Sequence, residues 1–538
     1  MRPPMRAWTL MLSLGVLITL SAQAPAQICE DPEEVQEALQ YLRRLTLDLR
    51  GRVPTVEEMQ AVIDTGEVSE TTIDEMLESD DFLHQLTEFH RDLLWANISN
   101  VRLTNNTFVL NTQRIGDSNI LALANPGRAT RWRGAAVPCL DEPARFDDEG
   151  NILTTESPNP QNPNQTIRQE GWVEVAPFWN PNQPVRVCAF DAQENLTGTV
   201  NGRRQVNCAA SAQSLECGCG PNLQFCHTRA TINTVVDALN TQMLRTAERV
   251  VAQDRPYTDL LLSRDIEVNG PVAHYFRYQS LTATNILAAS PDSGYELPQQ
   301  PYTDATWTTV EGDEAHSGVL TLPGFLLRFQ SNRGRANQFY NAFLCQPFQA
   351  PEGGLPASDD PCNSEPDLVF RCGCNYCHGT LEPASAHWGR WSEAGLMPLR
   401  PETFPRYNPD CDDPQLAARN PLCNRFYLVE ANHEKEEAYT GQLLSYVFAD
   451  DHAEREGNIE EGPRKLAEAA VNGGFFGRCM AERQWTTVMG RAPTDAEDEI
   501  LDDLASTFAG EGYNFKALVK ALVTRPEYVA AGRFGEVD

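Results

Sequence analysis

Arg371-Cys372-Gly373-Cys374-Asn375-Tyr376-Cys377-His378 is the stretch around which the rest of the chain is read. Inside it, Cys374, Cys377 and His378 make C-x-x-C-H, the spacing by which c-type haem is attached. Two thiols separated by two residues can each form a thioether to a haem vinyl, and the adjacent imidazole then falls beneath the iron. This reading gives Cys374 and Cys377 to the ring and His378 to the iron as proximal ligand. The sixth iron position is filled by a side chain for electron transfer or left open for small-molecule chemistry. Met397, in Gly395-Leu396-Met397-Pro398, lies far enough beyond His378 to reach the other face of the ring and is the candidate distal ligand. His387, His316 and Met480 are weaker candidates. Trp388, Trp391 and Tyr376 are expected to pack on the porphyrin.

The compartment follows from the rest of the cysteines and from the N-terminus. Arg2 and Arg6, an apolar run from Ala7 to Ala22, and Ala24-Pro25-Ala26 have the three parts of a secretory signal, with cleavage expected after Ala26. That run is shorter than the roughly 20 residues a spanning helix needs, and no later segment could span a membrane. The chain has 15 cysteines, which behind such a signal indicate disulfides and an oxidising compartment, periplasmic or extracellular in a bacterium. C-type haem is attached there too. With Cys374 and Cys377 on haem, an odd number remains, and Cys29 is the easiest one to leave unpaired. The net charge of −32 would repel nucleic-acid phosphates; it fits a solvated acidic surface, with a basic redox partner as the sharper alternative.

Helical periodicity dominates both ends. After Asp31, Val35, Leu39, Leu42, Leu45 and Leu49 recur at helical spacing up to Gly51. Thr55 and Glu58 then form a capping box, in which each side chain satisfies a backbone N–H near the other. Ile73, Met76, Leu77, Phe82, Leu86 and Leu93 continue the pattern, and His84 and His90 read as surface or core residues. The same cap recurs near the C-terminus, where Gly490-Arg491-Ala492-Pro493-Thr494-Asp495-Ala496-Glu497 restates Gly51-Arg52-Val53-Pro54-Thr55-Val56-Glu57-Glu58. In the centre, Ile232, Val235, Val236, Leu239, Met243, Val250 and Val251 share one face of a long helix ending before Pro256, with Met243 as core. A further helix runs through Asn337 to Cys345.

Between these helical parts, residues 100 to 214 are rich in Asn, Thr, Pro and Gln, and helical spacing fades. Trp172-Val173-Glu174-Val175 and Val185-Arg186-Val187 are expected strands. Cys139, Cys188 and Cys208 are expected to staple this insertion, with their pairing open. Cys217, Cys219, Cys226 and His227 imitate the haem stretch but with C-x6-C-H spacing. A disulfide knot is the expected reading there, ahead of a second haem at Cys219, Cys226 and His227 or a zinc site. Cys411 and Cys423 bracket a polar loop and are expected to pair.

On the stretches Tyr41 to Leu49 with Pro54-Thr55, Asn269 to Tyr275, Gly318 to Thr321, Cys374 to His378 and Gly490 to Glu497, the chain resembles large secreted bacterial proteins of unknown function that carry a planctomycete-type cytochrome c motif. The resemblance leaves out the polar insertion. It implies a haem, export, an N-terminal helical domain and successive C-terminal modules, and it supplies no reaction.

The expected fold class is mainly α, a multi-domain helical protein with a cytochrome c-like haem module and a loop-rich insertion with a few short strands. The expected divisions are a signal peptide (1–26), an N-terminal helical domain (27–99), the insertion (100–214), a helical domain (215–310), a haem c-binding module (311–440) and a C-terminal helical domain (441–538). The leading expectation is an exported c-type cytochrome-like protein with one covalent haem, serving electron transfer to or from a redox partner protein. Two rivals stand beside it. One is a haem-free, disulfide-rich binding protein in which Cys374 and Cys377 pair with each other or with Cys372; the other is an oxidoreductase acting at an open haem position. No serine-nucleophile, phosphate-loop or dinucleotide motif is present, and His433-Glu434 lacks the second histidine of the zinc-protease pattern.

Overall fold

The computed structural model describes residues 32–98, 103, 106–202, 204–209, 214–279, 296–349, 357, 359–396, 398–420 and 422–531. The signal segment 1–26, Cys29 and Met397 lie outside the described residues. Among the described residues helix accounts for about 49% and strand for 13%, so the fold is mainly α with several small sheets. Among the described residues no helix is long and apolar enough to cross a membrane.

The first helix, Pro32–Arg50, buries Leu42, Leu45 and Leu49, the stripe that the spacing predicts. Each such side chain contributes roughly 1.5–3 kcal/mol by leaving water. Gly51 follows at φ +65, a left-handed backbone that strains any residue with a Cβ. The second helix, Val56–Thr65, carries the full capping box between Thr55 and Glu58. Two further helices, Glu70–Leu77 and Asp80–Leu94, are capped by Ser69 and Ser79. His84 is exposed and His90 is buried.

The C-terminal restatement folds in the same way. Gly490 has φ +67, and Thr494 and Glu497 form the second capping box, ahead of helices Asp498–Gly510 and Phe515–Val523. The two ends of the chain pack against each other. Tyr41 Oη donates to Val523 O at 2.9 Å, and Lys516 Nζ pairs with Glu78 at 2.8 Å. One continuous core takes in these helices, the central helix Arg229–Ala252 with Met243 inside, the helix Asn332–Leu344, and Leu381, Ala384 and Trp388.

The polar insertion carries the strands. A four-stranded sheet runs in the order Leu110–Ile115, Ser118–Leu123, Val185–Cys188, Trp172–Val175, and the last two strands are those the sequence predicts. Hairpins surround it. With little apolar mass available, the segment is stapled by the disulfide Cys139–Cys188 and tied to the residues after it by Cys208–Cys217, with Cys219–Cys226 following directly. A buried ion cluster adds to this: Arg133 reaches Glu170 at 2.5 Å and Asp191 at 3.8 Å. Burial pushes the Asp191 carboxyl up to about 6, against the pull of Arg133.

Candidate haem-attachment site

One helix, Asn375–Ala386, carries the motif. It packs between the helices Asn332–Leu344 and Ala453–Asn472, with Leu381, Ala384 and Trp388 turned into the main core and Ala386 into a second cluster around Cys411 and Cys423. Gly373 sits at φ +74, and this left-handed step separates two fates for neighbouring cysteines. Cys372 turns back into a disulfide with Cys362, while Cys374 begins the helix. The N–H groups of Cys377 and His378 both donate to Cys374 O, at 3.2 and 2.9 Å. That single turn gathers Cys374, Cys377 and His378.

Among the described residues twelve cysteines are paired, the remaining disulfides being Cys345–Cys479 and Cys411–Cys423, and only Cys374 and Cys377 are free. Both are half-buried, and Cys377 Sγ donates to Gln349 O at 3.3 Å. Cys372 is therefore not open to either of them, which removes the pairing with Cys372 that a haem-free protein could use. The expected disulfides at Cys411–Cys423 and in the insertion are present. Cys219 and Cys226 are bonded to each other, so neither offers a thiol for a second thioether, and His227 beside them is buried. The clusters Cys139, Glu170, Cys188 and Asp360, Cys362, Cys372 have metal-like spacing, but their sulfurs are likewise spent in disulfides.

His378 keeps 21% of its side chain exposed. Its Nδ1 lies 2.6 Å from Glu382 Oε1, one helical turn on. Glu382 is buried and is held from outside the helix by Arg333 Nε at 2.5 Å and Arg455 Nη2 at 3.7 Å. Burial opposes the charge on Glu382, but Arg333, then His378 and Arg455, outweigh it and hold the carboxyl below the usual carboxylate range. A carboxylate can only accept, so in the neutral imidazole Nδ1 carries the proton and Nε2 presents its lone pair. Among the described residues Nε2 has no protein partner. Two unpaired thiols on one turn beside an imidazole with a free Nε2 suit covalent haem with a histidine ligand.

The other sequence candidates are dispersed. His387 caps the far end of the motif helix, roughly 13 Å along it from His378, and its Nδ1 donates to Gly462 O at 2.8 Å. His316 is buried against Thr321 Oγ1 at 2.8 Å, and Met480 is core. Met397 lies outside the described residues. Trp388 is fully buried with Nε1 donating to Leu320 O at 3.1 Å, so it packs within protein rather than on a ring at the surface. Tyr376, by contrast, is 67% exposed, and Phe370 just ahead of the motif is exposed as well.

A cavity of about 450 Å³ is lined by Arg333, Glu382, Ser385, Trp391, Ser445 and Arg455 among others. Cys374, Cys377 and His378 do not line it, so it borders the motif only through Glu382 and its arginines. Sequence reasoning missed Glu382, Arg333 and Arg455. Glu382 had a signal, its i,i+4 spacing from His378; the arginines come from distant parts of the chain.

A family model described as PSCyt2, protein of unknown function (DUF1549), matches residues 22–113, the N-terminal helices and the first strand, and does not reach Cys374. None of the curated proteins and none of the solved structures compared with the chain matches it.

Proposed function

We propose that this chain is an exported c-type cytochrome-like protein that binds one covalent haem through Cys374, Cys377 and His378 and serves electron transfer. The observation that carries the reading is the fate of the cysteines. In a chain whose other described cysteines are all oxidised in pairs, the two that stay free are those of C-x-x-C-H. Selective pairing of the rest fits an oxidising compartment and an exported protein. The exposed rings of Phe370 and Tyr376 supply apolar surface at the motif. The name of the family matched at 22–113 points the same way, toward the planctomycete cytochrome c setting that the sequence resembles.

Haem bound here would supply a one-electron iron couple. The protein's own part would be to offer Cys374 and Cys377 as the two thioether sulfurs and to hold the His378 imidazole by its Nδ1. Met397 remains the proposed distal ligand.

The test is the mass of the protein under denaturing conditions after production in a host that matures c-type cytochromes, read together with its visible spectrum. A haem-sized covalent increment, lost in Cys374→Ser/Cys377→Ser, is expected; its absence from the wild-type chain rejects the proposal. Met397→Ala should remove the methionine–iron charge-transfer band, and an unchanged band excludes that ligand.

A further inference from the structure

The geometry points to Glu382 as a positioning residue that fixes the orientation of the His378 imidazole and lowers the reduction potential of the iron. This inference rests on the haem reading above and gives that site a redox setting.

A buried carboxylate is costly to hold ionised, typically by several kcal/mol, unless charges and hydrogen bonds offset it. Glu382 is buried inside a helix packed on both sides, and the protein brings two arginines to it from elsewhere in the chain: Arg333 from the helix Asn332–Leu344 and Arg455 from the helix Ala453–Asn472. These offset the charge without using up the carboxylate. Oε1 still accepts from His378 Nδ1 at 2.6 Å, while Arg333 Nε shares the same oxygen. Leu381 and Ala384 beside it are apolar, and the anion answers Arg333 and the mostly buried Arg455. It also reaches the ring that would carry the iron.

Metal-bound histidines commonly donate their second ring N–H to a carboxylate or a backbone carbonyl, which fixes the ring and raises its basicity. A carboxylate does so more strongly than a carbonyl because it bears the charge. A more basic imidazole favours ferric over ferrous iron, and the potential falls. Loss of such partners typically costs about 10–100-fold in metal affinity or activity.

The experiment measures the midpoint potential of the haem-loaded chain beside its denatured mass. Glu382→Gln keeps an oxygen acceptor but removes the charge. It is expected to leave the covalent increment intact and to shift the Fe(III)/Fe(II) equilibrium toward ferrous by roughly tenfold, about 59 mV upward for one electron. Glu382→Asp keeps the charge but draws it back from His378 Nδ1 by one methylene, and its potential is expected to rise as well, by less than in Glu382→Gln. A carboxylate that acted only as a fixed nearby charge, or only propped the fold, would leave the potential of Glu382→Asp where it was. Haem present with a potential unmoved in both variants overturns the role of Glu382 and leaves the haem reading standing. A wild-type chain with no haem increment overturns both. Should Glu382→Gln fail to fold, the sign of the Glu382→Asp shift decides alone, because that variant keeps the charge that answers Arg333 and Arg455.

Discussion

The Arg44 guanidinium lies 3.9 Å from the centre of the Tyr528 ring, joining the first helix to the last. The same guanidinium donates to Tyr528 O at 2.6 Å and Val488 O at 3.0 Å, and Tyr528 Oη donates to Asp48 at 2.7 Å. The first and last described helices are thus joined through this cation, beside the Tyr41–Val523 and Lys516–Glu78 contacts. Arg44→Ala is expected to lower the unfolding free energy by about 2–4 kcal/mol, from the lost cation–π contact and charged hydrogen bonds. Arg44→Lys should recover less than half of that, since an ammonium cannot serve the two carbonyls in the planar fork geometry. Urea denaturation of the three proteins checks both statements.

Cys345 and Cys479 close a loop of 134 residues that holds the motif helix. Replacing both by Ala is expected to lower stability by roughly 2–5 kcal/mol. The covalent haem load should not change, because neither sulfur belongs to the motif. Thermal melts of the haem-loaded double variant, with its mass, test the two halves of this prediction.

Haem-free protein denatured without reductant should offer Cys374 and Cys377 to an alkylating reagent, with no label on the twelve paired cysteines. Peptide mapping reads this directly. Label at Cys362 or Cys372 would contradict the loop that delivers the chain to the motif.

Acid should destabilise the fold. His90 is buried, its Nδ1 donating to Leu86 O at 2.7 Å and its Nε2 accepting from Tyr257 Oη at 2.6 Å, and burial pushes it down to about 4. His227 is likewise lowered by burial to about 4, and His274 and His316 to about 3. In each case the unfolded chain binds the proton first. Their contribution is therefore complete above about 6.5 and is lost as pH falls, down to about 4 for His90 and His227 and about 3 for His274 and His316, by around 3 kcal/mol for His90 alone. Asp191 runs the other way, because its raised carboxyl favours the fold as pH falls below about 6. The four histidines outnumber it. Urea midpoints should drop between pH 6.5 and 4, with a shallower slope in His90→Gln; a flat profile would contradict this balance.

Trp388→Phe separates packing from haem contact. With Trp388 wholly inside the protein core, the variant should lose about 2 kcal/mol by leaving Leu320 O without its donor and opening a small void. The visible spectrum of the loaded protein should stay the same. A shifted spectrum would place the indole against the ring after all.

Much of the local structure was legible from spacing alone. The helix Pro32–Arg50, both capping boxes, the long central helix and the strands at Trp172 and Val185 follow from signals within a turn or two of the residues concerned: periodic apolar side chains, a Thr with a Glu at the third helical position, alternation in a polar insertion. The motif itself was legible because Cys374, Cys377 and His378 stand within one helical turn in C-x-x-C-H spacing. So was the short-range pair Cys411–Cys423.

Tertiary structure decided what depends on residues far apart in sequence. That Cys372 pairs with Cys362 and so leaves Cys374 and Cys377 alone, that Cys345 finds Cys479, and that Arg44 meets Tyr528 are matters of which surfaces pack together. No local pattern encodes such meetings, since they depend on the burial of whole helix faces in a shared core. The motif by itself determined which thiols and which imidazole could hold a haem. Only the fold set Arg333 and Arg455 behind Glu382, because a buried carboxylate stays charged where distant cations are brought to it, and so fixed which nitrogen of His378 faces outward.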